Sequence, residues 1–310
     1  MCIKIQKPVR SKSLLVTLTI SYVFPNTSEI PQRGGLEERW KLAGPAGCSF
    51  VEVPADLIKK GSEVTATGQG LCTFLTKESI ATLYKPTKSS PGKIPYILHT
   101  EPSLSRTDNF GIKTQAPLRW NDPAWVEQCV RMILDLSDFL GTPPAKVEIH
   151  PGDRRNTFAD IVTGVKKIQA GYRDTFGPVP EILLENRTGQ FISEGSAISR
   201  FWEYVMQHDP ELAGSFGIVL DIQQLSTVTR QNFLPSFHQI PPACLKGFHI
   251  HRLHRSPSIG DGIPWQEGFA LISGVEHDII INPEIHHNNQ VARVIGFCEE
   301  LLVKKDQDIK

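Results

Sequence analysis

The chain has 310 residues, of which 40% are hydrophobic and 21% are charged. A disordered chain has fewer apolar and more charged residues, so this composition excludes disorder and indicates a globular protein. Thirty-three basic residues balance thirty-three acidic ones. No net charge therefore draws the protein to nucleic acid or anionic lipid, although a local basic patch is compatible with this balance.

Six cysteines are scattered along the chain without a CxxC pair. This pattern is typical of reduced, buried thiols rather than of a disulfide framework or a thiolate zinc site, and it predicts a cytoplasmic protein. The N-terminal apolar stretch, residues 14–24, is too short to cross a bilayer and ends without a secretory cleavage pattern. We therefore expect no membrane partner.

Short apolar segments of strand length recur along the chain between helix-like segments. The eight predicted strands cover residues 13–22, 49–53, 94–100, 146–150, 181–185, 217–221, 247–251 and 278–282. Two of the intervening helices have clear end signals. One begins after Asp122 as N-cap with Pro123 in first position and stops at Gly141, and the other begins at Asn156 or Thr157.

Alternating strands and helices predict a parallel sheet, and eight repeats favour its closure into a barrel. An open, doubly wound sheet is the competing architecture, but no strand is followed by a glycine-rich phosphate loop. We predict an α/β protein with a single-domain (β/α)₈ TIM barrel over residues 1–310, and frayed ends at residues 1–12 and 304–310.

Polar residues end six successive predicted strands. They are His99, His150, Glu185, Asp221, His251 and Asn282, at intervals of 51, 35, 36, 30 and 31 residues. Equivalent strand ends of a barrel converge on one mouth, so this spacing predicts that the side chains meet.

The first five of these residues have the chemistry of a metal site. Imidazole and carboxylate groups bind Zn²⁺, Mn²⁺ or Fe²⁺, and a bridging carboxylate can hold two ions. We expect one or two divalent ions, Zn²⁺ or Mn²⁺, at His99, His150, Glu185, Asp221 and His251. Each residue alone is also compatible with a structural hydrogen bond at a strand end.

At these residues the sequence resembles the xylose-isomerase-like barrels, which include endonuclease IV and sugar isomerases and epimerases. Residues 184–190, LENRTGQ, look like the LEN-x-x-GQ segment of endonuclease IV. That resemblance implies that Glu185 bridges two metals, and that His99, His150 and Asp221 are ligands as well.

The seventh strand is more similar to the ketose 3-epimerases, through residues 247–251, Arg255 and residues 260–265. This resemblance implies a metal-binding histidine and an arginine that touches substrate. His249 and His251 share one strand face, and we choose His251 because it is nearer the mouth.

The chain departs from both patterns. Gln224 stands where endonuclease IV has a histidine, Asn282 stands where both groups have a glutamate ligand, and no Asp-x-His segment follows the seventh strand. A third zinc site is therefore not expected. We expect substrate contacts from Arg187, Arg255, Trp265, Gln224 and Asn282, although a tryptophan in this context also suits simple packing.

Three functions are compatible with this pattern. The first is hydrolysis of a phosphodiester, such as DNA at an abasic site, in which Glu185 and Asp221 are catalytic and arginines near the mouth, including Arg106, contact phosphate. The second is isomerisation or epimerisation of a small sugar or sugar phosphate with one metal. The third is a binding module without catalysis. For Glu52 we expect a solvated or salt-bridged position, with entry into the mouth as the alternative. For Glu284, His286 and His287 we expect exposed loop positions, with compensation for Asn282 as the alternative.

Overall fold

The computed structural model describes residues 2–8, 15–30, 35–64, 70–88, 94–101, 105–107, 113–115 and 118–307. Eight of the described strands form a parallel barrel whose order around the ring is their order in the chain. They are β1 (Leu15–Phe24), β2 (Phe50–Ala55), β3 (Tyr96–Thr100), β4 (Lys146–Ile149), β5 (Glu181–Glu185), β6 (Phe216–Asp221), β7 (Leu245–His249) and β8 (Ile279–Asn282).

The barrel is closed through β1, which pairs with a strand on each side. Ile20 of β1 aligns with Ile279 of β8, and Val23 of β1 aligns with Phe50 of β2. Both pairings are parallel, so the sheet has no open edge at this point. The predicted (β/α)₈ architecture is therefore confirmed.

Helices connect successive strands and cover the outside of the barrel. The described α-helices are α1 (Leu36–Ala43), α2 (Lys77–Leu83), α3 (Pro123–Leu140), α4 (Phe158–Phe176), α5 (Gly195–His208), α6 (Ile222–Thr229), α7 (Phe233–His238), α8 (Trp265–Ile272) and α9 (Val291–Gln307). Among the described residues, no helix is both long and apolar enough to cross a membrane.

The two helices with predicted end signals begin where expected, and the first also stops where expected. The Asp122 carboxylate accepts hydrogen bonds from the backbone N–H groups of Ala124 and Trp125, at 3.0 and 3.2 Å. Gly141 ends α3 with φ of 78°, in the left-handed region that favours glycine. Thr157 caps α4 by accepting from the N–H of Asp160.

An apolar layer fills the barrel interior below the mouth. It consists of Val23, Ile97, Leu183, Val219 and Ile280. These five side chains come from five different strands and are at most 4% exposed. Because inward-facing residues alternate along a strand, the next inward residue on each strand lies one layer nearer the mouth.

Several predicted boundaries are corrected. The seventh strand ends at His249 rather than at residue 251, because the chain turns after it and Arg252 and Arg255 form an isolated bridge. Residues 1–12 were expected to fray, yet Cys2–Pro8 forms an antiparallel strand on β1. Residues 304–307 likewise continue α9 instead of fraying. Residues 1, 9–12 and 308–310 lie outside the described part of the chain.

The cysteines whose side chains are described, Cys48, Cys129, Cys244 and Cys298, are free and buried. Burial raises the pKa of the thiol groups of Cys129 and Cys244 to about 12, so both stay protonated at neutral pH. Cys2 and Cys72 lie outside the described side chains. The cytoplasmic location stays a prediction.

Two helical glycines respond in opposite ways to an added methyl group. A Cβ at Gly195, the first residue of α5, would lie 1.7 Å from the carbonyl oxygen of Ser236, whereas a Cβ at Gly296 in α9 would meet no atom within 4 Å. We expect Gly195→Ala to lower the free energy of unfolding by about 1–3 kcal/mol, because backbone must move. Gly296→Ala should raise it by up to about 1 kcal/mol, because alanine favours helix.

Urea unfolding of the two variants beside the wild type measures both effects. A Gly195→Ala protein as stable as the Gly296→Ala protein would contradict the packing of α5 against the backbone of α7.

Candidate metal centre

Ionisable side chains form a layer directly above the apolar layer, at the carboxyl ends of the strands. Inward-facing positions are two residues apart, so Ile97 is followed by His99 on β3 and Leu183 by Glu185 on β5. The side chains of His99 and Glu185 are fully buried. The strand period thus places charged groups where the barrel excludes water.

One group of ligand-type atoms is formed by His99, His150 and Glu185. Nε2 of His99 lies 3.2 Å, and Nε2 of His150 lies 3.1 Å, from Oε2 of Glu185. Nδ1 of His150 lies 3.0 Å from the backbone carbonyl oxygen of Thr100, to which it can donate. Hydrogen bonding at Nδ1 leaves Nε2 of His150 for Glu185 or for an ion.

A second group is formed by Asp221, His249 and Glu284, whose ligand atoms all lie within 4.8 Å of one another. Nδ1 of His249 is 3.4 Å from Oε2 of Glu284. His251 faces the same two carboxylates, with Nε2 at 3.3 Å from Oδ2 of Asp221 and 3.2 Å from Oε2 of Glu284. Asp221 Oδ1 caps α6 by accepting from the N–H of Gln224, which leaves Oδ2 for the cluster.

Glu185 lies between the two groups. Its Oε2, which faces His99 and His150, is also 3.6 Å from Nδ1 of His249. Its other oxygen, Oε1, is 3.3 Å from Nη1 of Arg187. The guanidinium therefore holds one carboxylate oxygen while the other faces histidines of both groups.

Two further carboxylates belong to the same layer. Oε1 of Glu52 on β2 is 3.0 Å from Nδ1 of His99. Oε2 of Glu148 on β4 is 3.6 Å from the same nitrogen and 3.4 Å from Nε2 of His249. Glu52 is 3% exposed and Glu148 is fully buried.

The pKa values of the buried histidines depend on their contacts with these carboxylates. Burial lowers the pKa of His99, but contacts with Glu185 and Glu52 outweigh it and hold the pKa well above its usual range. His251 behaves in the same way beside Asp221 and Glu284, and its pKa rises to about 10. His150 differs, because burial dominates and lowers its pKa.

The pKa values of two of the carboxylates shift in the opposite direction, downward. Burial alone would raise the pKa of Glu185, but its close contacts with His150 and His249 hold it well below its usual range. Contacts with His249 and His251 likewise outweigh burial at Glu284 and hold its pKa well below that range. Without another cation, the ionised carboxylates therefore depend on protonated histidines.

The residues present fit one or more divalent ions. Nε2 of His99, both ring nitrogens of His249 and Oε2 of Glu284 are buried without a hydrogen-bond partner among the described residues. The close contacts of 3.1–3.6 Å between nitrogen and oxygen atoms match the separations of ligands that share a tetrahedral ion, about 3.3–3.6 Å for bonds of about 2.0–2.2 Å. Mixed imidazole and carboxylate donors suit Zn²⁺ or Mn²⁺.

The structure brings together the five residues predicted as ligands, His99, His150, Glu185, Asp221 and His251. Of the expected substrate contacts, Arg187 and Asn282 also belong to this layer, through Glu185 and Glu52 respectively. Gln224 lies beside it, since its Oε1 accepts from the N–H of Thr188 at 3.2 Å.

Two of the residues expected to contact substrate, Trp265 and Arg255, lie outside the ionisable layer. Trp265 is 2% exposed, its indole N–H donates to Oδ1 of Asp261 at 2.9 Å, and its ring packs edge-on against Phe297. It therefore belongs to the helix packing rather than to a pocket wall, which corrects that expectation. Arg255 is exposed on the loop after β7, and its backbone pairs with Arg252.

The sequence pattern did not single out Glu148. It left His249, Glu52 and Glu284 as less favoured alternatives. Glu148 and His249 each precede a predicted ligand by two residues, so the strand period was the signal that could have found them. Exposure is the wrong expectation for Glu52 and Glu284, which are at most 9% exposed. Glu52 does pair with His99, and Glu284 does lie in the loop after β8. His286 and His287 are exposed loop residues, as expected.

Comparison with known proteins identifies the fold. No protein-family model and no curated sequence matches this chain. A D-tagatose 3-epimerase-like protein is similar in structure, with a TM-score of 0.55, 14% identity, and coverage of 94% of this chain and 100% of that one. D-Psicose 3-epimerase from Clostridium cellulolyticum H10 has a TM-score of 0.52 at 13% identity, covering 91% and 99% of the two chains.

An AP endonuclease of family 2 from Brucella melitensis is as similar, with a TM-score of 0.53, 10% identity, and coverage of 91% of this chain and 98% of that one. At such low identity these similarities establish the fold and not the reaction. The chain thus shares a (β/α)₈ TIM-barrel fold with these epimerases and this endonuclease.

Proposed function

We propose that the protein is a divalent-metal-dependent hydrolase that cleaves a phosphodiester by means of two ions. The position of Glu185 carries this proposal, because its Oε2 faces His99 and His150 on one side and His249 on the other. A carboxylate shared by two ligand groups is typical of two-metal hydrolytic sites.

The first ion would be held by His99, His150 and Glu185. The second would be held by Asp221, His249 and Glu284, with His251 in contact with both of these carboxylates. When bound, such ions polarise a phosphoryl oxygen and make water nucleophilic near neutral pH.

The charge of the layer supports this assignment. Five buried carboxylates, those of Glu52, Glu148, Glu185, Asp221 and Glu284, share two guanidinium groups, Arg187 beside Glu185 and Arg39 near Glu52. With all five carboxylates ionised, three negative charges are left, and buried charge of one sign is very costly unless cations neutralise it. Divalent ions would balance it without protonating the histidines.

Other residues of the chain have separate roles in this proposal. Arg187 holds Oε1 of Glu185 and so orients the shared carboxylate. Arg154, Arg155 and Arg255 are exposed on the loops that follow β4 and β7, where they would contact substrate phosphates. The side chain of Arg106 lies outside the described residues.

Epimerisation or isomerisation of a small sugar or sugar phosphate is the second candidate. The observation that favours it is the burial of the ionisable layer, since His99, His150, Glu185, Asp221 and His249 are at most 1% exposed. An enclosed site suits a small substrate. In this candidate one ion at Asp221, His249 and Glu284 would polarise a carbonyl while a neighbouring carboxylate moves the proton.

Metal content is the first measurement. Protein that is reconstituted with Zn²⁺ and then separated from unbound Zn²⁺ should retain about two ions per chain. The His150→Ala variant should retain about one, because each metal site requires its own ligands. His287→Ala is the matched control, since His287 is an exposed histidine that pairs with Glu29. Wild-type protein without tightly bound ions would contradict both enzymatic candidates and favour the binding module.

Metal removal should also lower the thermal stability. An ion present at a hundred times its dissociation constant stabilises the folded state by about 2.7 kcal/mol. We therefore expect treatment with a chelator to lower the Tm, and expect Zn²⁺ or Mn²⁺ to restore it. An unchanged Tm in scanning calorimetry would argue against a bound ion.

The reaction is tested on an abasic-site DNA duplex and, separately, on a panel of ketoses. We expect the loaded protein to nick the duplex above its metal-free control, and Glu185→Gln to lower the rate by about 100-fold, equivalent to about 2.7 kcal/mol. Glu181→Gln is the control, since Glu181 starts the same strand at the opposite end of the barrel and pairs with Lys146. Ketose conversion without nicking would select the second candidate.

A further inference from the structure

The two nitrogens of the His99 ring face different partners. Nε2 faces Oε2 of Glu185, at the place where the first ion would bind. Nδ1 faces away from that position, toward Oε1 of Glu52 at 3.0 Å and Oε2 of Glu148 at 3.6 Å. An ion at Nε2 would thus leave the Nδ1 proton between two carboxylates.

His249 has the reverse arrangement. Its Nδ1 faces the second ion position, at 3.4 Å from Oε2 of Glu284 and 3.6 Å from Oε2 of Glu185. Its Nε2 lies 3.4 Å from Oε2 of Glu148. The same oxygen of Glu148 therefore lies near one ring nitrogen of a histidine from each group.

Glu52 is itself held in place. Its Oε2 accepts hydrogen bonds from the backbone N–H of Asn26 at 3.1 Å and from Nδ2 of Asn282 at 3.0 Å. Nη1 of the buried Arg39 donates to Oδ1 of Asn26 at 3.0 Å. Asn282, at the end of β8, thus fixes a carboxylate on β2, which lies on the other side of β1.

A metal-binding imidazole uses one nitrogen for the ion and donates the N–H of the other. A carboxylate that accepts this N–H fixes the tautomer and the ring orientation, and it makes the ligand nitrogen more basic. Glu52 faces this second nitrogen of His99, and Glu148 faces the second nitrogens of both His99 and His249.

We propose that Glu52 and Glu148 are positioning residues of the metal centre, with Glu52 serving the His99 ion and Glu148 serving the ions of both His99 and His249. This inference rests on the proposed function, because it requires two ions. It assigns Nε2 of His99 and Nδ1 of His249 as the ligand atoms. It also gives Asn282 the role of orienting Glu52 instead of binding metal or substrate.

Stepwise Zn²⁺ affinities, measured by competition with a chromophoric chelator, test this division of roles. Glu148→Met should weaken both ions and Glu52→Met only one, each by about 10–100-fold, with the number of ions unchanged. The glutamine variants keep a carbonyl acceptor, so they should lose less than the methionine variants. Glu181→Gln is the control and should bind both ions as the wild type does.

A His150→Ala background identifies the ion that each carboxylate serves. His150→Ala removes the first position, so Glu52→Met should then have no effect on the remaining ion. Glu148→Met should still weaken that ion by about 10–100-fold. Near-UV circular dichroism verifies folding, and the glutamine variants decide the outcome if a methionine variant does not fold.

Three results would overturn the inference. If the wild type binds two ions and Glu148→Met binds both with unchanged affinity, the positioning role is wrong while the proposed function stands. If Glu148→Met binds one ion fewer, Glu148 is itself a ligand of the metal. The geometry allows this, because ligand atoms of Glu148, Glu185 and His249 also lie within 4.8 Å of one another. If the wild type binds no ion, the proposed function and the inference fail together.

Discussion

Five carboxylates lie inside the barrel, where water cannot solvate them, and this burial of negative charge constrains the rest of the layer. It explains why histidines surround the carboxylates and why the pKa values of His99 and Glu185 move in opposite directions. It also explains why several ligand-type atoms lie close together without hydrogen-bond alignment. Such a layer costs stability in its own right, which a hydrocarbon core would not. Its retention in the barrel is therefore consistent with a functional role.

The two-residue period of the strands divides the interior into layers with different chemistry. The apolar layer, represented by Ile97 and Leu183, fills the barrel and supports the ionisable residues above it. On β4, two successive inward residues, Glu148 and His150, are both polar, so the ionisable region is deeper there. A second row of carboxylates can consequently lie behind the histidines and contact the ring nitrogens that face away from the ion positions.

The end of β8 places two polar side chains in the layer, one from the strand and one from the loop that follows it. Asn282 occupies the strand end, while Glu284, two residues later, reaches His249 and His251. A backbone hydrogen bond of 2.9 Å from the N–H of Glu284 to the carbonyl of Asn282 bends the chain back at this point. The carboxylate of Glu284 thus reaches the layer from the loop, while Asn282 on the strand donates to Glu52.

Structural similarity extends equally to sugar epimerases and to an AP endonuclease, so the fold does not choose between their reactions. The local geometry distinguishes them better. A group made of His99, His150 and Glu185 stands beside the group made of Asp221, His249 and Glu284, and Glu185 faces both. This second ligand group is the reason for preferring two-metal hydrolysis over chemistry that needs one ion.

By itself, the sequence determined the strand order, the closed α/β architecture and the convergence of His99, His150, Glu185 and Asp221, because regular spacing places equivalent strand ends at one mouth. It could not determine the remaining members of the layer. Glu148 and Glu52 join it only because barrel closure brings β2, β4 and β7 around one interior. The contribution of Glu284 and the packing of Trp265 depend on how loops turn after their strands. Spacing along the chain fixes which residues share a level of the barrel, whereas the distances between their atoms exist only once the ring is closed.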